Sequence, residues 1–183
     1  RKSFAVTRRE FKVLLALGVL MAGSSLALYC SFNFMDAGIA STILFVYPVM
    51  VAVIMAVFFK EKVTPVTIVS IVLALSGISL LYKGGDGAVL STVGVILVII
   101  SSLTYAVYIV VVNKSSLRMS SVKLTFYVLF IGTLMIILYS FTGDSARLQS
   151  ITSIHSLFYA LLLAVFPTVI SLILMVIAVH NVG

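Results

Sequence analysis

Charge is what this chain has least of. Only 9% of its 183 residues are Asp, Glu, Lys or Arg, while 62% are hydrophobic and the mean hydropathy is +1.30. A soluble domain is about half apolar and about a quarter charged, so a water-borne globule of this size could not hide so much apolar surface, whereas a bilayer removes the difficulty. Cysteine is nearly absent as well. The single Cys30 lies inside an apolar run, which excludes an intrachain disulfide and reads as a small buried hydrophobe. His155 and His180 are the two histidines, and they offer no metal-ligand spacing. An enzyme embedded in the membrane needs a cluster of His, Asp, Glu or Cys at depth, and none is written here. The chain is therefore read as a non-enzyme, with no metal and no other cofactor expected.

What charge there is has one sign. The 12 Lys and Arg outnumber the 5 Asp and Glu, for a net charge of +7. In a soluble protein this would suggest nucleic acid, but no basic stripe with interleaved aromatics occurs, and nucleic acid is not an expected partner. The basic residues instead stand between apolar runs, where they report topology.

Six apolar stretches are long enough to cross about 30 Å of hydrocarbon as helices. They fall at 11–33, 37–59, 65–83, 88–112, 122–142 and 155–181, with every charged residue in a connection or at a span edge. The expected fold class is thus all-α, a polytopic transmembrane helix bundle with six spans. Its connections are short, as antiparallel neighbours require: Phe34-Met35-Asp36, then Lys60 to Thr64, then a Gly84-Gly85-Asp86-Gly87 turn, then longer loops at 113–121 and 143–154. Thr64-Pro65 reads as an N-cap followed by proline at the first helical position. Gly18/Ala22, Ala52/Ala56, Ser70/Ala74 and Ser102/Ala106 are small residues four apart that allow close helix approach. Phe58, Phe59, Tyr82, Phe126, Tyr139, Phe158 and Tyr159 stand near span ends as interfacial aromatics do.

With the first span starting in the cytoplasm, the inside segments hold Arg1, Lys2, Arg8, Arg9, Lys12, Lys60, Lys62, Lys114, Arg118 and Lys123, and the outside segments hold only Lys83 and Arg147. The positive-inside rule then places residues 1–10, 60–64 and 113–121 in the cytoplasm and the chain in a plasma membrane, expected to be a bacterial inner membrane. The sequence opens on Arg1 rather than Met, with no signal peptide ahead of the first run, and stays apolar to Gly183; it is expected to be a piece of a longer chain.

From Ala37 a pattern emerges. Ala37-Gly-Ile-Ala-Ser-Thr-Ile-Leu-Phe-Val-Tyr-Pro48 leads into an apolar helix closed by Lys60-Glu61-Lys62, then Thr64-Pro65 and a helix with Gly77 before Leu80-Leu81-Tyr82. A mid-helix proline, a glutamate closing the helix and a glycine in the next helix, in this order and at these distances, resemble the EamA repeat of the drug/metabolite transporter superfamily. The resemblance implies ten helices in two inverted five-helix repeats, of which these spans would be helices three to eight. Residues 1–83 would end the first repeat. Residues 84–183 would open the second, with Gly94 and Ser101-Ser102-Leu103-Thr104-Tyr105-Ala106 resembling the family's repeat-opening helix. Laying Ser24 on Ser171 also aligns Leu28 with Met175, Ser31 with Ala178 and Asn33 with His180, in helices that run in opposite directions under the charge-derived topology.

Such transporters bind substrate near the midplane, so polar residues at mid-span are the candidates for a path. Ser25, Tyr29, Asn33 and Asp36 share a helical spacing in the first span; they read as a path wall or as interhelical hydrogen bonding with an interfacial tyrosine and a loop aspartate. Ser101, Thr104, Tyr105 and Tyr108 share one in the fourth, as a wet pocket for amphipathic solutes or as aromatic packing. Pro48 and Pro167 should kink the second and sixth spans and free the carbonyls of Leu44 and Leu163, either for a cavity or as a packing bend. Tyr47 and Ser171 are the lining candidates beside them. Glu61 matches the family glutamate, as a solvated helix-end charge or as a gating or structural ion pair. His180 is a titratable or merely structural histidine. No span interior carries an ionisable Asp, Glu, Lys or Arg, so neutral, zwitterionic or amphipathic solutes fit better than highly charged ones.

The expected function is therefore transport of small metabolites, amino-acid-like or otherwise neutral, in the direction of export and by alternating access. The competing reading is a membrane scaffold or assembly subunit with no path of its own. Expected partners are the lipid bilayer, a small-molecule substrate and a second copy of the chain in a homodimer.

Overall fold

The computed structural model describes residues 6–62, 64–84, 91–115, 119–141 and 153–182, with side chains at 74 and 78–84 and from 180 onward excepted. All regular structure among the described residues is helical. The helices are α1 Arg8–Ser31, α2 Ala37–Leu44, α3 Tyr47–Phe59, α4 Pro65–Gly84, α5 Thr92–Lys114, α6 Ser121–Ser140, α7 Ile154–Leu163 and α8 Ser171–Val182, with a π-helical segment Ala164–Ile170 joining the last two. Among the described residues, five stretches are long and apolar enough to cross a bilayer: Arg8–Ser31, Ala37–Phe59, Thr92–Lys114, Ser121–Ser140 and Ile154–Val179. The remaining expected span is α4, 20 residues long, with a described apolar stretch Pro65–Gly77. The chain is a multi-pass helical membrane protein. The glycine turn at 85–87, residues 116–118 and 143–152 of the two long loops, and the side chains of Tyr82 and His180 lie outside the described residues.

Local chemistry sets the helix ends. The first helix starts at Arg8 rather than 11 because Thr7 and Glu10 form a capping box. The Thr7 backbone N–H and hydroxyl both donate to Glu10 Oε2 at 2.8 Å, and the Glu10 N–H donates to Thr7 Oγ1 at 3.3 Å, which satisfies donors left over at a helix start. That helix also ends early, at Ser31, where Phe32 N–H bonds Tyr29 O and Phe34 N–H bonds Ser31 O in successive tight turns. Asn33 and Asp36 therefore do not continue the face of Ser25 and Tyr29, contrary to expectation. Asp36 instead caps α2, its Oδ1 accepting from Gly38 N at 2.8 Å and Ile39 N at 3.3 Å. Thr64 caps α4 as expected, accepting from Thr67 N at 3.2 Å ahead of Pro65. The third helix closes on Lys60 at φ 55, a left-handed cap made without glycine, with Glu61 N–H reaching back to Met55 O as a helix C-cap does.

The two prolines depart from simple kinks. The expected single helix 37–59 is interrupted at Phe45–Val46, where N–H groups bond three residues back to Thr42 and Ile43. A new helix starts at Tyr47, which puts Pro48 in a first turn, where proline is tolerated and the carbonyl left without its N–H is that of Leu44. In the sixth span the helix widens instead. Pro167 sits within the π-helical segment Ala164–Ile170, and this wider turn accommodates a residue that cannot donate to the ladder.

The chain divides into two compact units, residues 1–19 with 112–183 and residues 20–111, so α1 and α5 each contribute to both. In the first unit α6 packs against α8, and α7 and α8 flank the π-helical segment. Gly18 of α1 fits tightly on α6: a Cβ there would lie 2.5 Å from Ile131 Cγ2 and 2.6 Å from Ile131 Cβ. Leu14, Leu17, Leu124 and Val128 are fully buried. In the second unit both halves of the interrupted span, α2 and α3, contact α4, and Ala22, Ala40, Val98, Ser102 and Ala106 are buried. Phe58, Phe126, Phe158 and Tyr159 are more than half exposed, as lipid-facing and interfacial rings are. The tight Gly18 contact makes Gly18→Ala an overpacking substitution, expected to destabilise the protein by about 1–3 kcal/mol. Thermal unfolding in detergent reads this; a melting temperature at or above that of the unmodified protein would mean the helices have room to spare.

Candidate functional site

Most hydroxyls at mid-span are already engaged. In the second unit Ser24 and Ser101 form a reciprocal pair between α1 and α5. Ser24 Oγ donates to Ser101 O at 3.0 Å, Ser101 Oγ donates to Ser24 O at 2.7 Å, and the two oxygens lie 3.1 Å apart. Both serines are buried. Close helix approach through small hydroxylated residues is how helices associate where lipid offers no hydrophobic drive. Ser102, one residue on, shares its hydroxyl between Val98 O at 2.9 Å in its own helix and Leu44 O at 3.3 Å in α2. Leu44 is the residue whose carbonyl Pro48 cannot serve. Thr104 folds its hydroxyl back onto Ile100 O at 2.7 Å.

The other expected residues of the fourth span build an aromatic cluster. Tyr105 meets Tyr47 of α3 edge to face, with centroids 4.9 Å apart at 86°, and stacks on Tyr108 with centroids 5.7 Å apart at 18°. Both are favoured ring geometries. Tyr47 opens α3 immediately after the interruption, so the helix break carries one wall of the cluster. Tyr47 and Tyr105 are half-buried and Tyr108 is fully buried. The Tyr108 hydroxyl has no hydrogen-bond partner among the described residues.

The remaining candidates are dispersed. Tyr29 is 60% exposed and turns its ring edge toward Phe32. Asn33 is exposed in the turn and donates to Cys30 O at 3.3 Å. Ser25 is half-buried, while Pro48 and Glu61 are exposed. In the first unit Thr168 Oγ1 donates to Leu163 O at 3.1 Å, so the carbonyl that Pro167 frees is occupied rather than presented to a cavity. An apolar groove of about 460 Å³ runs along α6, with Thr125, Phe126, Phe130, Thr133, Val169 and Ile173 among its lining. Pro167 and Ser171 are exposed but do not line it. The side chain of His180 lies outside the described residues.

The expected faces thus resolve into one cluster, Tyr47, Tyr105 and Tyr108, with Ser101 diverted to packing. Ser24 and Ser102 are missed as polar contacts by reading the sequence for a path. Each adjoins a named candidate in a Ser-Ser pair, and 100° of helix rotation separates the two members.

Residues 1–83 and 92–183 match the EamA-like transporter family. The chain belongs to that family. Among its EamA relatives, an uncharacterized transporter of Bacillus subtilis, YvbV, is 26% identical over 113 residues, and an uncharacterized transporter of Archaeoglobus fulgidus is 25% identical over 114. Each alignment takes in 62% of this chain but 37% and 40% of the relatives, so this EamA chain spans about two fifths of the curated relatives it matches. No solved structure matches it. The reciprocal serine pair makes a stability difference between neighbouring EamA residues. Ser101→Ala is expected to cost about 1 kcal/mol and Ser25→Ala less than about 0.5 kcal/mol, compared as melting temperatures; equal effects would remove the pair from the packing account.

Proposed function

We propose that this chain forms part of a transporter that moves small neutral or amphipathic metabolites, amino-acid-like ones among them, in the direction of export. The single observation that carries the reading is the Tyr47–Tyr105–Tyr108 cluster set at the interruption of the second span. A tyrosine wall offers apolar ring faces with hydroxyls at their edges, and a break in a spanning helix is tolerated where the irregular backbone is enclosed by protein or lines a cavity. The absence of Asp, Glu, Lys and Arg from the span interiors favours solutes that need no deep counter-ion. Alternating access between two inverted repeats is the proposed mechanism, with residues 1–83 in one repeat and 84–183 in the other; the two separate family matches, 1–83 and 92–183, support that division. The interruption at Phe45–Val46 is where the second span would bend. Ser25, Tyr29, Thr104 and Ser171 stay as secondary candidates for the path, and residues 1–10, 60–64 and 113–121 are placed on the cytoplasmic side of a bacterial inner membrane.

The test loads proteoliposomes with a mixture of neutral amino acids and related metabolites and follows their loss by mass spectrometry. The complete protein that contains this chain should release at least one species faster than protein-free vesicles, and Tyr105→Phe or Tyr47→Phe should change that rate several-fold while leaving the melting temperature in place. Release equal to that of empty vesicles would favour a scaffold without a path. Topology has its own check, because Cys30 is the only cysteine. In a Cys30→Ser background, a cysteine at Asp36 should react with a membrane-impermeant maleimide added outside intact cells, and one at Lys62 should not. The reverse pattern would invert the topology.

A further inference from the structure

We infer that the Tyr108 hydroxyl is the hydrogen-bond donor that selects the solute. The solute would be a neutral molecule carrying a flat apolar group and a carbonyl-type acceptor, and Tyr105 is the ring that covers the donor. The inference rests on the reading of the tyrosine cluster as the transport site and adds to it which atom discriminates.

Three observations converge. First, Tyr108 is fully buried and its hydroxyl has no partner among the described residues. A buried polar group without a partner is disfavoured by about 1–3 kcal/mol and is uncommon in native structures, so one that is kept calls for a partner in another state of the protein. Second, the neighbouring hydroxyls of α5 are already committed. Ser101 bonds Ser24, Ser102 is shared between Val98 O and Leu44 O, and Thr104 bonds Ile100 O. Tyr108 is thus the uncommitted donor on this stretch of α5. Third, Tyr105 stacks on Tyr108 and is itself only half-buried, meeting Tyr47 edge-on where the second span is interrupted. Swinging Tyr105 aside would open a route to the Tyr108 hydroxyl between ring faces. A phenol O–H is a good donor to a carbonyl oxygen, and ring faces on either side suit a flat apolar group. No charged side chain lies within the interiors of α1, α2, α3 or α5, which leaves a neutral amide or similar acceptor as the fitting chemistry.

The probe is N-acetyl-L-phenylalaninamide, which is neutral and has both a flat ring and amide carbonyls. Its binding to the purified protein in detergent is measured by equilibrium dialysis, with melting temperatures taken alongside and without probe. The unmodified protein should bind it. Tyr108→Phe keeps the ring and removes the hydroxyl; it should melt at or above the unmodified protein in the absence of probe, because an unpaired group has been deleted, and bind the probe about tenfold more weakly. Tyr105→Leu should also weaken binding. A lower melting temperature of Tyr108→Phe without probe would show that the hydroxyl has a structural partner, such as a trapped water, and would overturn the proposal. Weakened binding in Tyr105→Leu with binding unchanged in Tyr108→Phe would sink the donor role and leave the tyrosine site standing. Binding unchanged in both variants, or absent from the unmodified protein up to the probe's solubility limit, would remove the solute class and the site together.

Discussion

In hydrocarbon there is no water to accept or donate, so every peptide N–H and C=O of a spanning segment must find its partner within the protein. Helices meet that demand almost everywhere in this chain. Proline is where they fail, since it brings no N–H to the carbonyl four residues earlier. Pro48 and Pro167 create that deficit at Leu44 and Leu163, and a side-chain hydroxyl stands at each: Ser102 from another helix at Leu44 O, and Thr168 from the same helix at Leu163 O. The two solutions have different consequences. Thr168 keeps the sixth span continuous through a π-helical turn, whereas Ser102 lets the second span break and ties the break to α5.

The same demand explains why so few hydroxyls at membrane depth are available for a solute. Ser41, Thr42, Ser70 and Thr104 each return a hydroxyl to the carbonyl four residues back, as Ser and Thr do inside helices. Ser24 and Ser101 exchange theirs across the interface of α1 and α5. Two buried hydroxyls have no partner among the described residues, Thr125 of α6 and Tyr108 of α5. A tyrosine carries its polar atom at the end of a rigid ring, beyond reach of its own backbone, and Tyr108 in particular keeps a hydroxyl that local carbonyls do not consume.

The membrane-spanning character, the apolar segments and the Lys60–Thr64 connection were legible in the sequence, because hydrophobic length and turn residues are properties of single segments. Thr64-Pro65 capped its helix as its residue types require. Less legible was anything that depends on two segments at once. That the first helix stops at Ser31, removing Asn33 and Asp36 from its face, follows from Asp36 capping the next helix. Pro48 opens a helix rather than kinking one, and the Leu44 carbonyl it leaves without an N–H meets Ser102 of another helix. The fourth-span face Ser101, Thr104, Tyr105 and Tyr108 was identified from spacing, yet spacing assigns a face and not a neighbour. Ser101 turned out to meet Ser24 and Tyr105 to meet Tyr47.

The dependence of the interrupted span on a hydroxyl from α5 is tested most directly by a thermodynamic cycle between Pro48→Ala and Ser102→Ala, read as unfolding free energies in detergent. An alanine at 48 restores an N–H for Leu44 O and makes Ser102 redundant there. Ser102→Ala should therefore cost about 1 kcal/mol in the unmodified protein and close to nothing in the Pro48→Ala background, a coupling well above the roughly 0.3–0.5 kcal/mol scatter of independent sites. Equal costs in the two backgrounds would contradict the account.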